Sequence, residues 1–231
     1  MVEGIGIAGM ANTLLGQVFT FFSKPNIKFD DKLKKDKTIM QLKINGVDKR
    51  QFKMNIWKLT ITNKKRNKLF SKFSKNATSC YIGLNIIKDK QPKNKHELIL
   101  RWMNNDSDIP IESIDIPDPY NQSKENDYNK LFVDNFVSRI EWTDGHTVDL
   151  PVNTERNIIF IFTIEEISSI YIVYQVINKS ELYESQVFQL PFDKWNIELI
   201  SHSNQYNDWK GTLYELEIHR WDNIEFKRIV I

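Results

Sequence analysis

Short segments in which apolar and polar residues alternate recur along most of this chain. Thr38–Ile44, Phe52–Thr62 and Thr212–Arg220 are clear examples. Successive side chains of a β-strand point to opposite faces, so this period-two pattern is typical of strands with one buried face. Turn residues recur every eight to fifteen positions between these segments. The pattern therefore predicts a mainly β protein, folded as an antiparallel sandwich.

Other segments rich in β-branched and aromatic residues extend the predicted set of strands. These segments are Asn26–Asp30, Cys80–Ile87, Glu97–Met103, Ser113–Ile116, Leu131–Trp142, Asn157–Ile164, Tyr171–Val176, Ser185–Leu190, Trp195–Ser201 and Glu225–Ile231. A proline-rich breaker at 117–119 and a polar loop at 119–130 interrupt the series. We predict one elaborated sandwich over residues 24–231, although the loop could also separate two smaller sandwiches.

The beginning of the chain has a different composition, because Gly4 to Ser23 contains no charged residue. As a helix, this segment gathers apolar side chains on one stripe. We predict an N-terminal hydrophobic anchor helix over residues 1–23, which spans a membrane or lies at its interface. A soluble helix packed on the fold or on a partner is the alternative. The predicted anchor stripe consists of Ile7, Met10, Leu14, Leu15, Val18, Phe19 and Phe22.

Small residues in the predicted anchor helix suggest that it associates with copies of itself. Gly9 with Thr13, and Gly16 with Thr20, have the spacing that lets membrane helices approach closely. Lysines begin at Lys24, directly after the apolar segment, and the positive-inside tendency places that side in the cytoplasm. Glycosylation-type triplets such as Asn76–Thr78 would instead suit an exterior face.

Positive charge is concentrated in one part of the chain. Residues 24–75 hold 17 Lys or Arg against 4 Asp, although the whole chain has a net charge of only +2. Such asymmetry favours an anionic partner: lipid headgroups, nucleic acid or an acidic face of another subunit. The predicted basic surface consists of Lys24, Lys28, Lys34, Lys35, Lys64, Lys65, Arg66 and Lys68.

Catalytic and metal-binding patterns are not apparent in the sequence. The four histidines are scattered without ligand spacing, and there is no phosphate loop, dinucleotide fingerprint or nucleophile elbow. The single cysteine, Cys80, excludes an intramolecular disulfide and is predicted to be a buried strand residue. We therefore predict no catalytic residues, no metal and no cofactor, and a protein that is not an enzyme.

Aromatic residues offer one candidate contact on the surface. Most of the six tryptophans lie inside predicted strands, where packing in the core is expected. Trp209 lies in the polar stretch 204–210 and is the best candidate for an exposed anchor residue. The oxygen-rich stretch Asn104–Asp108 lacks the glycine and the later glutamate of a calcium loop, so it is interpreted as a solvated loop.

Several short motifs give the chain a resemblance to a group of proteins. They are the N-terminal hydrophobic helix, Lys24–Phe29, Trp57–Asn63, Ala77–Cys80 leading into a strand, Leu100–Trp102 and Asp149–Pro151. This order resembles small uncharacterised archaeal and bacterial membrane-anchored proteins with an immunoglobulin-like domain. The resemblance implies an immunoglobulin-like sandwich and an anchor, and no chemistry. The loop at 119–130 and the strands after residue 165 depart from that simple pattern.

These observations favour a structural role over a catalytic one. We predict a membrane-tethered β-sandwich that acts as a structural or protein-interaction module, with another protein subunit as its partner. The first alternative is a nucleic-acid-binding protein that uses the basic residues of 24–75. A second alternative is a soluble subunit whose N-terminal helix packs on a partner. No small-molecule substrate is indicated.

Overall fold

The computed structural model describes residues 24–66, 71–88, 91–92, 97–103, 113–117, 128–143, 147–177, 183–204, 206–207 and 211–230. These ranges form a mainly β structure, as the alternating sequence pattern predicts, and they also contain one α-helix. The predicted anchor stripe and the small residues Gly9, Thr13, Gly16 and Thr20 lie outside the described ranges. Within those ranges, no helix combines the length and apolar character that crossing a bilayer requires.

The strands are numbered in chain order, and the helix is α1. The strands are β1 Ile27–Phe29, β2 Lys34–Ile44, β3 Val47–Asn63, β4 Ala77–Lys88, β5 Gln91–Pro92, β6 Leu98–Leu100, β7 Ser113–Ile116, β8 Val148–Leu150, β9 Glu155–Ile164, β10 Ser169–Ile177, β11 Tyr183–Pro191, β12 Lys194–Ser203, β13 Tyr206–Asn207, β14 Thr212–Arg220 and β15 Asn223–Arg228. The helix α1 is Tyr128–Arg139, and Ser71–Phe73 forms a short 3-10 helix.

All of the strands belong to one large, mostly antiparallel sheet. Its main path runs β15-β14-β12-β4-β6-β10-β9-β3-β2-β7, and β1 pairs with β3 beside this path. The pairing of β2 with β7 is parallel, whereas the other pairs within the described residues are antiparallel. Chain neighbours such as β2 and β3 form hairpins, whereas β4 pairs with β12 across more than a hundred residues of sequence.

Two clusters of buried apolar side chains lie on the two faces of β3 and β9. The inner cluster consists of Trp57, Leu59, Ile61, Ala77, Cys80, Ile82, Leu84, Ile86, Leu100, Trp102, Leu150, Ile158, Phe160, Ile161, Ile170, Ile172, Leu190, Trp195, Ile197, Leu199, Tyr214, Leu216, Ile218 and Phe226. The helix cluster consists of Met40, Leu42, Phe52, Met54, Ile56, Met103, Ile114, Phe132, Val133, Phe136, Val137, Ile140, Ile159, Phe162, Ile164, Tyr171 and Val173.

Burial on both faces explains the almost continuous apolar run in β9. Its alternate side chains enter the two clusters, as expected for a strand covered on both sides. The pairing with β3 shifts by one residue between Trp57 and Lys58, which leaves Phe160 as an extra residue. This β-bulge places the neighbours Phe160 and Ile161 in the same inner cluster.

The helix α1 corrects one prediction, because Leu131–Trp142 is predicted as a strand and most of it is helical. Its buried residues Phe132, Val133, Phe136 and Val137 repeat at the three- and four-residue spacing of a helix. The Phe132 ring stacks on Phe52 of β3 at 4.0 Å between centroids. The sequence is thus compatible with a helix as well as with a strand, and burial of this stripe against the sheet favours the helix.

The β2–β3 hairpin contains a buried charge at the end far from its turn. Asn45 and Gly46 both have positive φ, as a two-residue type I′ turn requires. Lys58 on β3 is only 5% exposed, and its Nζ lies 2.6 Å from the Asp36 carboxylate of β2. A buried ammonium group is costly without such a partner, so this ion pair belongs to one alignment of the two strands.

Candidate functional site

An open groove lies between β1 and the β14–β15 hairpin. Its volume is about 1350 Å³, and residues from 27–32, 211–214 and 225–230 line it. In the described part of the chain, β1 pairs only with β3 and β15 pairs only with β14. Both banks of the groove are therefore edges of the sheet.

The β1 bank presents unpaired backbone groups to the groove. Lys64 N donates to Asn26 O at 2.9 Å, and Asp30 N donates to Thr60 O at 3.0 Å. Because antiparallel strands bond through alternate residues, Lys28 also faces β3. The N–H and C=O groups of Ile27 and Phe29 then point away from β3, toward the groove.

The β15 bank follows the same alternation. Ile229 N donates to Leu213 O at 2.9 Å, and Lys227 and Glu225 lie opposite Glu215 and Glu217. These inward-facing positions leave the backbone groups of the intervening residues directed away from β14. The outward-facing residues are Ile224, Phe226 and Arg228. An extended segment in the groove could thus hydrogen-bond to either bank.

The floor of the groove is apolar and belongs to the inner cluster. Phe226 stacks on Tyr214 with centroids 4.3 Å apart, and both side chains are buried. Ile27 and Phe29 are half-buried and pack against the same cluster from the opposite bank. Val230 at the end of the hairpin is 89% exposed. Side chains of a bound strand that point inward would therefore meet an apolar surface.

One buried hydroxyl connects this floor to the rim. The Tyr214 hydroxyl donates a hydrogen bond to the Asp31 carboxylate, across the groove. Burial raises the pKa of Tyr214, and the negative charge of Asp31 raises it further. The phenol therefore stays protonated and neutral at physiological pH. Its contact with Asp31 holds the segment after β1 near the hairpin.

The other end of the hairpin is pinned to β2, β3 and β9. Asn55 Nδ2 donates to Trp221 O at 3.0 Å, and the Thr163 hydroxyl donates to the same carbonyl. Lys35 Nζ donates to Asp222 O and lies 4.8 Å from the Trp57 ring centroid. Side chains rather than a backbone ladder thus hold this end of the hairpin against β2, β3 and β9.

The structure separates the predicted basic residues into two groups. Around the loop after β3, Lys64 N donates to Asn26 O and Arg66 Nη2 donates to Lys24 O at 3.0 Å. These contacts bring Lys24, Lys64, Lys65 and Arg66 to one end of the sheet. Lys28 and Lys34 are exposed on the β1–β2 side instead.

Lys35 corrects the prediction of a basic surface, because it is half-buried and serves packing. Burial lowers its pKa, and nearby Lys37 lowers it further. Its contacts with Asp222 and Trp57 hold the hairpin turn in place. Lys68 lies outside the described residues. Trp209, the predicted surface contact, also lies outside them, as does Asn104–Asp108.

A second polar set lies on the outer face of β14 and β15. The ligand atoms of Glu217, His219 and Glu225 are within 4.8 Å of one another. Lys227 also donates to Glu225 and lowers the pKa of that carboxyl. Lys194 lies 2.8 Å from Glu215 on the same face. Such alternating charges are typical of a solvated ladder of cross-strand ion pairs, and the sequence had given no sign of the cluster.

A third polar set lies on the outer face of β4 and β12. His202 Nε2 is 3.0 Å from the Glu97 carboxylate, and Tyr81 stacks on His202 at 4.4 Å. Burial raises the pKa of Glu97, against the opposing effect of His202. The Glu97 side chain crosses Gly83 so closely that a Cβ there would lie 1.8 Å from its Oε1. A histidine and a carboxylate therefore lie in contact on this face.

Cys80 lies where the sequence predicts it, fully buried in β4. Burial raises the pKa of its thiol to about 12, so it is not a nucleophile at neutral pH. The groove itself was missed by sequence reasoning. The only available signal was the alternation in Ile27–Phe29 and Ile224–Arg228, which puts apolar residues on one face and charges on the other.

No family model matches the chain, no curated protein is significantly similar in sequence, and no solved structure is significantly similar in fold. The geometry and chemistry of the groove therefore have to support a functional proposal by themselves.

Proposed function

We propose that this protein is a non-catalytic, membrane-tethered interaction module that binds an extended segment of a partner protein in its groove. The observation that carries the proposal is that two strand edges, those of β1 and β15, lie on the two banks of one groove without a partner strand among the described residues. Main-chain hydrogen bonds to such edges provide affinity, and alternate side chains provide specificity. A groove of this kind needs no catalytic residues.

The finer fold assignment is part of the same proposal. The inner cluster joins side chains of β15 and β14 with those of β9 and β3, which lie far apart along the sheet path, and this supports a two-layered sandwich. The immunoglobulin-like topology is supported by the sequence motifs such as Leu100–Trp102 and Asp149–Pro151. Edge strands in such a sandwich are natural places for a partner strand to add.

The membrane tether is supported by the charge-free stretch that ends at Ser23 and by the lysines that follow it. We place the sheet on the cytoplasmic side, with self-association through the small residues from Gly9 to Thr20. Membrane fractionation tests this part. The full chain should stay with the membrane in high salt and in alkaline carbonate, and release by high salt alone would exclude a spanning anchor.

Strand addition can be tested with the full chain in detergent and a displayed library of short random peptides. Selected peptides should protect the amides of Ile27, Phe29, Phe226 and Arg228 from hydrogen exchange. Ile27→Pro removes an outward-facing N–H at the first residue of β1, where proline is tolerated. It should weaken peptide binding about tenfold, as expected for losing one main-chain hydrogen bond with its edge geometry.

Ile27→Ala is the matched control, because it loses the same side chain and keeps the N–H. Binding that falls equally in both variants would indicate side-chain packing without strand addition. Selected peptides that protect none of the groove amides would contradict the proposed function.

A second candidate function rests on Lys24, Lys64, Lys65 and Arg66, which the structure brings to one end of the sheet. Such a patch could bind nucleic acid through phosphates. Retention of a single-stranded oligonucleotide that falls steeply with salt, and that is lost when Lys64 and Lys65 become glutamine, would favour this function.

A further inference from the structure

The groove carries three cationic side chains that have no ion-pair partner among the described residues. Lys28 and Lys32 lie on the β1 bank, and Arg228 lies on the β15 bank. All three side chains are exposed, and none forms an ion pair with a carboxylate among the residues that the structure describes. Exposed cations on both banks are therefore available to a bound ligand.

Three acidic residues also line the groove, and each of them has a contact within the protein. The Asp31 carboxylate accepts the hydrogen bond of the Tyr214 hydroxyl. Glu225 accepts from Lys227 and lies 3.4 Å from His219 Nε2. Glu198 accepts from Asn85 Nδ2 at 3.1 Å. Only Glu225 is paired with a cation, Lys227, so the rest of the lining holds Lys28, Lys32 and Arg228 against Asp31 and Glu198 and keeps a small positive charge.

The alternation of β1 fixes where a ligand's charges would be placed. Ile27 and Phe29 pack on the inner cluster, so Lys28 between them points to the outer side. A strand lying along β1 would likewise send alternate side chains to the apolar floor and to the outer side. Its inward positions need apolar residues, and its outward positions near Lys28 and Lys32 favour carboxylates.

We infer that the partner segment is an extended peptide in which apolar residues alternate with Asp or Glu. This inference rests on the proposed function, and it adds the chemistry of the partner. Arg228 lies in register with Tyr214, at the exposed end of the apolar floor. There it provides a binding site for one further carboxylate at the end of the bound segment.

The same cations could contact phosphates, and the floor of the groove favours a peptide instead. Single-stranded nucleic acids gain much of their affinity from bases that stack on exposed aromatic rings. The rings of Tyr214 and Phe226 are buried and stacked on each other, with Phe226 also edge-on to Phe160 at 5.7 Å. These rings therefore offer no exposed face for a base.

The test uses the full chain in detergent and three capped, fluorescent peptides about as long as the six residues of β15. Valine alternates with glutamate in the first peptide and with lysine in the second. The third has the composition of the first with a central proline. Fluorescence anisotropy at low salt should give the acidic peptide an affinity at least about tenfold higher than the basic one. The preference should shrink as salt screens the charges.

Two matched triple variants assign this preference to the groove. Lys28→Gln, Lys32→Gln and Arg228→Gln together should remove most of the difference between the two peptides. The control carries Lys49→Gln, Lys64→Gln and Lys65→Gln, which remove three exposed cations outside the groove. The control should keep the preference for the acidic peptide, because its three substitutions lie outside the groove. Both variants lose the same net charge, so they can be compared directly.

The possible outcomes separate the two proposals. Equal binding of acidic and basic peptides, both weakened by Ile27→Pro, would overturn the acidic partner and leave strand addition standing. Binding of neither peptide, or equal binding of the proline-containing peptide, would overturn strand addition itself. An oligothymidine that displaces the acidic peptide and binds more tightly would overturn the inference in favour of nucleic acid.

Discussion

Helix α1 covers one face of the sheet, whereas no described element pairs with the strand edges of the groove. On the first face, α1 buries Phe132 and Phe136 completely against β3 and β9. In the groove, Phe226 and Tyr214 close the floor, while the strand edges above them have no described partner. The first region is covered by a helix of the same chain. In the groove, only the apolar floor is covered.

The kind of surface explains this difference. The helix cluster is a broad apolar face, and covering such a face with an amphipathic helix removes it from water. The groove instead leaves backbone N–H and C=O groups at Ile27, Phe29 and Phe226, which a helix cannot satisfy but another strand can. Backbone groups that have no strand partner among the described residues thus mark the groove as a candidate binding site.

The largest expected effect comes from breaking the sealed side. Phe136 is fully buried and contacts Phe162 edge-on at 5.2 Å. Phe136→Ala should lower the free energy of unfolding by about 3–5 kcal/mol, because it removes a buried ring and leaves a cavity. Urea denaturation followed by circular dichroism measures this loss.

Asp134→Ala on the exposed side of α1 is the control for that measurement. It should change stability by less than about 0.5 kcal/mol, as surface substitutions usually do. If Phe136→Ala costs no more than this control, then α1 does not seal the sheet, and the contrast with the groove is wrong.

A smaller effect is expected where the hairpin is pinned. Asn55→Ala removes the hydrogen bond to Trp221 O and should lower stability by about 1–2 kcal/mol. Because this contact holds the hairpin against β3, amides of β15 should exchange faster while those of α1 keep their rates. Asn223→Ala, an exposed position two residues further on, serves as the control. Equal acceleration in both elements would show that the two regions unfold together.

The smallest expected effect is a pH dependence of stability that Glu97 causes. This residue lies on the outer face of β4 and β12, next to His202. Since burial raises the pKa of Glu97, its ionisation is less favourable in the folded than in the unfolded state. The wild type should therefore lose stability relative to Glu97→Gln as pH rises from below the ordinary carboxyl pKa through the raised one. Above that window the difference should stay constant.

Parallel urea denaturations across the carboxyl range measure this dependence, with Glu141→Gln at an exposed position as the control. A wild type that gains stability relative to Glu97→Gln with rising pH would show that His202 outweighs burial. That result would make the pair a stabilising ion pair and not a tolerated one.

The strands could be predicted where packing follows local alternation. Ser113–Ile116 and Thr212–Arg220 have the predicted bounds, and Asn157–Ile164 lies within β9. The prediction for Leu131–Trp142 was wrong, because Phe132, Val133, Phe136 and Val137 suit a helix stripe as well as a strand rich in β-branched and aromatic residues. Only the sheet beneath them decides between these periods.

The candidate site could not be predicted, because it depends on which edges remain unpaired. No local pattern states that β1 pairs with β3 alone, or that β15 ends the sheet beside it. A count of charges also does not distinguish between lysines, whereas Lys35 holds the β14–β15 turn in place and Lys28 lines the groove. The different positions of these two lysines depend on strand pairing between residues that are distant in the sequence.

The buried contact of Lys58 with Asp36 has a consequence for how the chain reaches its native state. Strands joined by Asn45 and Gly46 could align in neighbouring registers, and a shift of one position would turn every side chain to the opposite face. A misaligned hairpin would strand an ammonium group in a dry environment without its counterion. The pair should therefore favour the native alignment of β2 and β3 over alignments shifted by one residue.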